Sequence, residues 1–181
     1  MFRYRGQLAL IWILCILLWA KPTFVSFLVG ICVVLFAEGL RFWSVRHIGS
    51  ASRRRDDEKR MLCRQGPYLW VRNPIYIANV IMWIGLTITS NRLSLLWIPI
   101  LIGLMYHIIV GWEEWNWSQR MDYERYRNQV PRWIPNVVWA IPSSDGLPKI
   151  SWMRVLRSER STLIAIVSMY VFLTFRLLHV N

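Results

Sequence analysis

Gly66-Pro67-Tyr68-Leu69-Trp70-Val71-Arg72-Asn73-Pro74-Ile75-Tyr76 stands where a basic loop enters an apolar run, and its reading decides the fold. On its N-terminal side lies the charge run Arg53-Arg54-Arg55-Asp56-Asp57-Glu58-Lys59-Arg60. On its C-terminal side the chain is apolar from Ile75 to Thr89, apart from Asn79 and the threonines near the end. Pro67 and Pro74 each fix φ and remove an N–H, so the segment is expected to be stiff and to leave carbonyls free to accept hydrogen bonds. A stiff segment rich in aromatic rings at a water–lipid boundary is a candidate ligand site.

Working outward, 55% of the 181 residues are hydrophobic and 12 are tryptophan. A soluble domain of this size cannot hide so much apolar surface, which points to an integral membrane protein. The formal charge of +12 sits in loops between apolar runs, as in cytoplasmic loops of membrane proteins, and so argues against a nucleic-acid partner. Cys15 and Cys32 lie inside apolar runs and Cys63 in the basic loop. An odd count without a CxxC pattern excludes a disulfide framework or structural zinc site from the expectation, and no metal is expected.

Five apolar stretches stand out, at 8–20, 23–40, 75–89, 93–112 and 163–178. Crossing the hydrocarbon core takes about 20 residues; flanking aromatics and snorkelling arginines can extend the shorter ones. The first two are read as a hairpin turning at Lys21-Pro22, and the third and fourth as another turning at Ser90-Asn91-Arg92. The alternative is one kinked crossing built from the first two stretches. Pro99 is expected to kink the fourth span. Arg3, Arg5, the loop 41–72 and the segment 120–160 carry nearly all the positive charge, which puts the N-terminus and both long loops in the cytoplasm. Arg176 and His179 are a mild exception. Trp112, Trp115, Tyr123, Tyr126 and Val130 recur at helical steps and predict an amphipathic helix over 112–135, lying at the cytoplasmic interface or packed over the spans and ended by Pro131 and Pro135. The expected fold is therefore all-α: a single polytopic membrane domain over 1–181 with about five transmembrane helices and a cytoplasmic interfacial helix. The bacterial inner membrane is the expected location.

No Ser/His/Asp grouping, P-loop, GxGxxG or HExxH is present, and His47, His107 and His179 are scattered and read as packing residues. What remains is Glu113-Glu114, which antiparallel third and fourth spans would bring to the same membrane face as the Tyr76 loop. Adjacent carboxylates at the edge of hydrocarbon are costly unless paired or used. They could equally begin the interfacial helix and pair with nearby arginines.

Arg60-Met61-Leu62-Cys63, Gly66-Pro67-Tyr68, Arg72-Asn73-Pro74-Ile75-Tyr76, Glu113-Glu114, Tyr123-Glu124-Arg125-Tyr126 and Val130-Pro131-Arg132-Trp133-Ile134-Pro135 follow one another in order. Over roughly 36–140 this set resembles the isoprenylcysteine carboxyl methyltransferase family, itself similar to the membrane phospholipid methyltransferases. The resemblance implies S-adenosylmethionine as cofactor, held by Arg60, Met61, Leu62, Cys63, Tyr68, Asn73, Pro74, Ile75, Tyr76 and Glu113 (or Glu114). It places Arg72, Glu113 and Glu114 as the expected catalytic group, with Tyr68 or Trp70 beside the adenine. Asn73 and Arg60 stand where the family has histidines, so neither offers a neutral base. An apolar Ile109 falls near the family's substrate arginine.

Methyl transfer from a sulfonium is an in-line displacement, and an anionic oxygen acceptor needs no general base. The expected activity is methylation of a carboxylate or phosphate oxygen on a lipid or lipid-like substrate, with Arg64, Arg72 or Arg132 binding its charge. The expected partners are the bilayer and that lipid or lipidated substrate, with no obligate protein partner. A nicotinamide-dependent membrane reductase and a non-catalytic membrane scaffold are the alternatives.

Overall fold

The computed structural model describes residues 5–49, 62–119, 121–136 and 149–179. Among the described residues all regular structure is helical: α1 (Arg5–Trp19), α2 (Phe24–Ile48), α3 (Pro74–Ser90), α4 (Trp97–Trp117), α5 (Met121–Gln129) and α6 (Trp152–His179). Two 3₁₀ turns, Gly66–Leu69 and Leu93–Leu95, precede α3 and α4. Three segments are long and apolar enough to cross a membrane, Phe24–Ile48, Leu93–Trp117 and Trp152–His179. Ala9–Trp19 and Pro74–Ser90 are shorter apolar helices. In α6 only 17% of the apolar window is buried, so most of its apolar surface faces outward, as it would toward lipid.

The chain forms two compact units, and α2, α3, α4 and α6 each contribute residues to both. The first comprises Met1–Ala37, Val80–Gly103 and Glu159–Asn181. Here α1 and α2 are separate helices with their own caps. Thr23 and Ser26 cap the start of α2 reciprocally, Ser26 N–H donating to Thr23 Oγ1 (3.2 Å) and Thr23 N–H to Ser26 Oγ (2.9 Å). At the other helix end, Arg176 Nη1 donates to the carbonyls of Leu17 (2.8 Å) and Leu18 (3.2 Å), and Arg92 Nε to that of Trp19 (3.0 Å). The last carbonyls of α1 lack intrahelical donors, so the two cations satisfy them and complement the helix dipole. Arg176, the exception to the charge asymmetry, thus serves as a helix cap.

Close backbone approach joins α2 to α3 in this unit. A Cβ on Gly30 would lie 2.7 Å from the Gly85 carbonyl oxygen and 2.0 Å from Thr89 Oγ1, and one on Gly85 would lie 2.7 Å from Val34 Cγ2. Small residues on facing helices allow this packing where lipid supplies no hydrophobic drive. Thr89 Oγ1 hydrogen-bonds to the Tyr170 hydroxyl (2.9 Å), tying α3 to α6, while Trp12 and Trp83 meet edge to face at 5.9 Å.

Four expectations are corrected. First, α2 runs to Ile48 instead of ending at residue 40. The charged residues there do not interrupt the backbone ladder: Arg41 pairs with Glu38 (3.9 Å), and Ser44 Oγ donates back to the Leu40 carbonyl (2.7 Å). Second, Pro99 falls in the first turn of α4, where its missing N–H is no loss, so it has no ladder to break or kink. Third, the stripe of 112–135 belongs to two helices. Trp112 and Trp115 are exposed on α4, whereas Tyr123, Tyr126 and Val130 are buried along α5 and its C-terminal end, packed on Leu62 and Trp117. The turn at Ser118, whose N–H and Oγ both donate to the Trp115 carbonyl, separates them. Fourth, α6 begins at Trp152 rather than near residue 163, with Ser151 capping it through Arg154 N–H (3.4 Å to Oγ).

Because overpacking a tight contact costs about 1–3 kcal/mol, Gly30→Leu is expected to lower the thermal midpoint of the purified protein clearly. Gly103→Ala, where a Cβ meets nothing within 4 Å, is expected to leave it unchanged or raise it slightly. Equal midpoints for the two variants would refute the close crossing.

Candidate active site

The second unit comprises Glu38–Asn79 and Leu104–Ser158, and it holds the described candidate site residues together. The Gly66 loop is laid over the end of α2. Gly66 has φ +56, and a Cβ there would lie 2.7 Å from the His47 ring, so only glycine fits both the backbone and the contact. His47 Nδ1–H in turn donates to the Trp43 carbonyl (2.8 Å). Trp70 meets Trp43 at 5.1 Å between ring centroids, and Tyr68 is buried. Pro74 then opens α3, with Ile77 N–H donating to the Asn73 carbonyl (3.2 Å).

The stiff loop does not leave its carbonyls free as expected. Pro67 O accepts from Trp70 and Val71 N–H, Tyr68 O from the Tyr126 hydroxyl (2.7 Å), and Trp70 O from Asn136 N–H (2.9 Å). Buried backbone acceptors need partners, and here the loop itself, α5 and the segment after it supply them. The carbonyls hold the loop in place.

Glu114 is the centre of this arrangement. Arg72 grips it with Nε on Oε1 (3.0 Å) and Nη2 on Oε2 (3.4 Å), and both side chains are only 9% exposed. Arg132 adds Nε (3.0 Å) and Nη2 (2.5 Å) on Oε2. The Tyr123 hydroxyl hydrogen-bonds to the same carboxylate; burial first, then the Glu114 charge, push that phenol up to about 12. Arg72 also donates Nη1 to the carbonyls of Arg127 (2.7 Å) and Val130 (2.8 Å), the C-terminal end of α5, and its own backbone N–H to Pro131 O (2.9 Å). One buried carboxylate therefore joins the loop, α4, α5 and the segment 131–132. The pairing with arginines holds for Glu114, although it lies within α4 and begins no other helix.

Glu113 has a different environment. The Tyr76 hydroxyl donates to its Oε1 (3.0 Å), and the Tyr76 ring lies 4.8 Å from that of Tyr106. Asn79 Nδ2 donates to the Tyr106 hydroxyl (3.1 Å), while Asn79 Oδ1 is buried with no hydrogen-bond partner among the described residues. Asn73 Nδ2 reaches the Arg132 carbonyl (3.4 Å). Ile75 occupies the first turn of α3 and Pro74 is fully buried. Tyr106 was not singled out from sequence, although its spacing of two helical turns from Glu113 places both on one face of α4.

Leu62 packs under α5, and Cys63 is buried, which pushes its thiol up to about 11 despite a lowering backbone hydrogen bond from Gln65. Such a thiol is inert at neutral pH. Arg64 donates to the Asp122 carbonyl and lies over the Tyr126 ring, so its charge also secures α5. Arg60 and Met61 lie outside the described residues.

Two outcomes are expected. Removing one partner of a buried ion pair costs about 3–5 kcal/mol, so Glu114→Ala should sharply lower the denaturation midpoint in detergent, and an unchanged midpoint would refute the clamp. The buried Cys63 thiol favours the neutral form, so its contribution to stability is full below pH about 9 and is lost as pH rises through about 11. Midpoints recorded across that range should fall more steeply for the wild type than for Cys63→Ala.

The phospholipid methyltransferase family model matches residues 25–124, more than half of the 181-residue chain. The match spans the Gly66–Tyr76 loop, Glu113 and Glu114, and stops short of Tyr126 and the segment 131–135. No curated protein and no solved structure matches the chain. With its spanning-length apolar helices and the ordered loop and glutamate motifs, the chain belongs to the phospholipid methyltransferase family of membrane methyltransferases.

Proposed function

We propose that the protein is an S-adenosylmethionine-dependent methyltransferase acting on an anionic oxygen, carboxylate or phosphate, of a lipid or lipid-like molecule. The observation that carries this reading is the cluster of Tyr76, Glu113, Tyr106 and Asn79 Oδ1, which has no partner among the described residues. A carboxylate, two aromatic rings and an orphaned amide oxygen fit a ligand bearing a sulfonium and an ammonium group. Tyr76, Asn79, Tyr106 and Glu113 would hold the donor, with Leu62, Tyr68, Asn73, Pro74 and Ile75 shaping the surrounding walls. When bound, S-adenosylmethionine supplies an electrophilic methyl group.

In this reading Glu113 holds positive charge and Tyr76 fixes the carboxylate's orientation. Arg72 and Glu114 act by position: their polar atoms are committed to one another, to Arg132 and to the end of α5. An anionic acceptor suits a site without a ready base. The His47 ring is packed on Gly66, and the Nδ1 atom of His107 accepts the Trp133 N–H. We further read all five apolar helices as crossings, α1 and α3 being the short ones, in a single domain with the N-terminus and the long basic loops in the cytoplasm.

With methyl-labelled donor and total membrane lipid, label is expected in the lipid fraction, on an oxygen when the labelled lipid is fragmented in a mass spectrometer; a carboxylate ester in addition gives up its label as volatile methanol in alkali. Label on a nitrogen would overturn the oxygen acceptor, and label confined to protein would overturn the lipid substrate. A hydrogen bond or ion pair to a charged group is worth about tenfold or more in affinity. Glu113→Gln is therefore expected to weaken donor binding by that factor in calorimetry with little loss of stability; undiminished binding would remove Glu113 from the site.

A further inference from the structure

His107 is a polar side chain on the exposed side of α4, between the exposed Leu104 and Ile108. The Trp133 indole N–H donates to its Nδ1 (3.3 Å), and the two rings stack at 6.1 Å with 24° between their planes. An indole nitrogen can only donate, so Nδ1 is the acceptor and the neutral imidazole carries its proton on Nε2. Trp133 thereby fixes the tautomer and turns His107 into a hydrogen-bond donor at an exposed position. The preceding residue, Arg132, uses Nε and Nη2 on Glu114; its Nη1 has no bond among the described residues, and its side chain is 29% exposed. Arg132 and Trp133 are consecutive, and the residues they hold, Glu114 and His107, lie two turns apart on α4, so an oriented N–H donor and a guanidinium edge stand on one side of that helix. Ile134, the residue after Trp133, is itself 80% exposed.

We propose that His107, Trp133 and Arg132 form the seat for the phosphodiester headgroup of a membrane phospholipid, the substrate of the proposed methyl transfer, with its acyl chains along Leu104 and Ile108. This rests on the lipid-methyltransferase reading and names where the substrate docks. The phosphodiester accepts from His107 Nε2–H and from the Arg132 guanidinium, while neutral lipid finds only the apolar Leu104 and Ile108. Glu114 holds Arg132 and Trp133 holds His107, so both donors are oriented before the lipid arrives.

Native mass spectrometry of the whole protein in a maltoside detergent tests this, with phosphatidylglycerol, diacylglycerol of the same chains and inorganic phosphate as probes. Phosphatidylglycerol is expected to be retained, while diacylglycerol and inorganic phosphate are not. A hydrogen bond to a charged group being worth about tenfold, His107→Phe should weaken phosphatidylglycerol by about that factor. His107→Gln, which keeps an N–H donor, should recover part of it, and Trp133→Phe should also weaken it. Equal retention of phosphatidylglycerol and diacylglycerol by the wild type, or of phosphatidylglycerol by wild type and a folded His107→Phe, would overturn the seat. The first comparison needs no variant. Calorimetry with S-adenosylmethionine separates the two claims: a wild type that discriminates the lipids without binding the donor would leave the seat and sink the methyltransferase reading.

Discussion

The buried carboxylate of Glu114 is the constraint on which the site depends. A lone charge there would be too costly to keep, and Arg72, Arg132 and Tyr123 converge on it from separate pieces of chain. Each partner has a second attachment: Arg72 to the last carbonyls of α5, Tyr123 to the core under Leu62, and Arg132 through its carbonyl to Asn73. The Gly66–Tyr76 loop, α4 and α5 are held in register by one group. The neighbouring residue, Glu113, is thereby left to face Tyr76 and Tyr106.

This division between adjacent glutamates explains why so little of the site was legible from sequence. Spacing shows that positions 113 and 114 point about 100° apart on a helix, but not which one meets arginine. The deciding partner, Arg132, lies beyond α5 and returns to α4 only because the α5 stripe is buried. The proline loop was read wrongly as rich in free acceptors, because its hydrogen-bond partners, Tyr126 and Asn136, are distant in sequence. His107 and Trp133 were each unremarkable alone; their pairing is tertiary.

The helices were more legible, since apolar runs report burial in lipid or protein directly. Their ends were not. Hydropathy stops where charge begins, whereas a helix stops where its hydrogen-bond ladder does, so α2, α4 and α6 all extend past the apolar windows into charged sequence. The arginines near helix ends take structural work. Arg92 and Arg176 cap α1, and Arg46 lies 4.2 Å above the Trp152 ring at the start of α6. The arginines outside the basic loops, Arg92 and Arg176, are thus accounted for by capping.

The central claim is that the Glu114 clamp is structural while the Tyr76–Glu113 pair receives the methyl donor. Hydrogen exchange measured by mass spectrometry, with and without S-adenosylmethionine, tests it most directly. The account predicts that peptides holding the end of α5 are already well protected without ligand, and that added donor slows exchange in peptides covering 62–79 and 104–114. No ligand-dependent protection in those peptides, or protection confined to other parts of the chain, would contradict it.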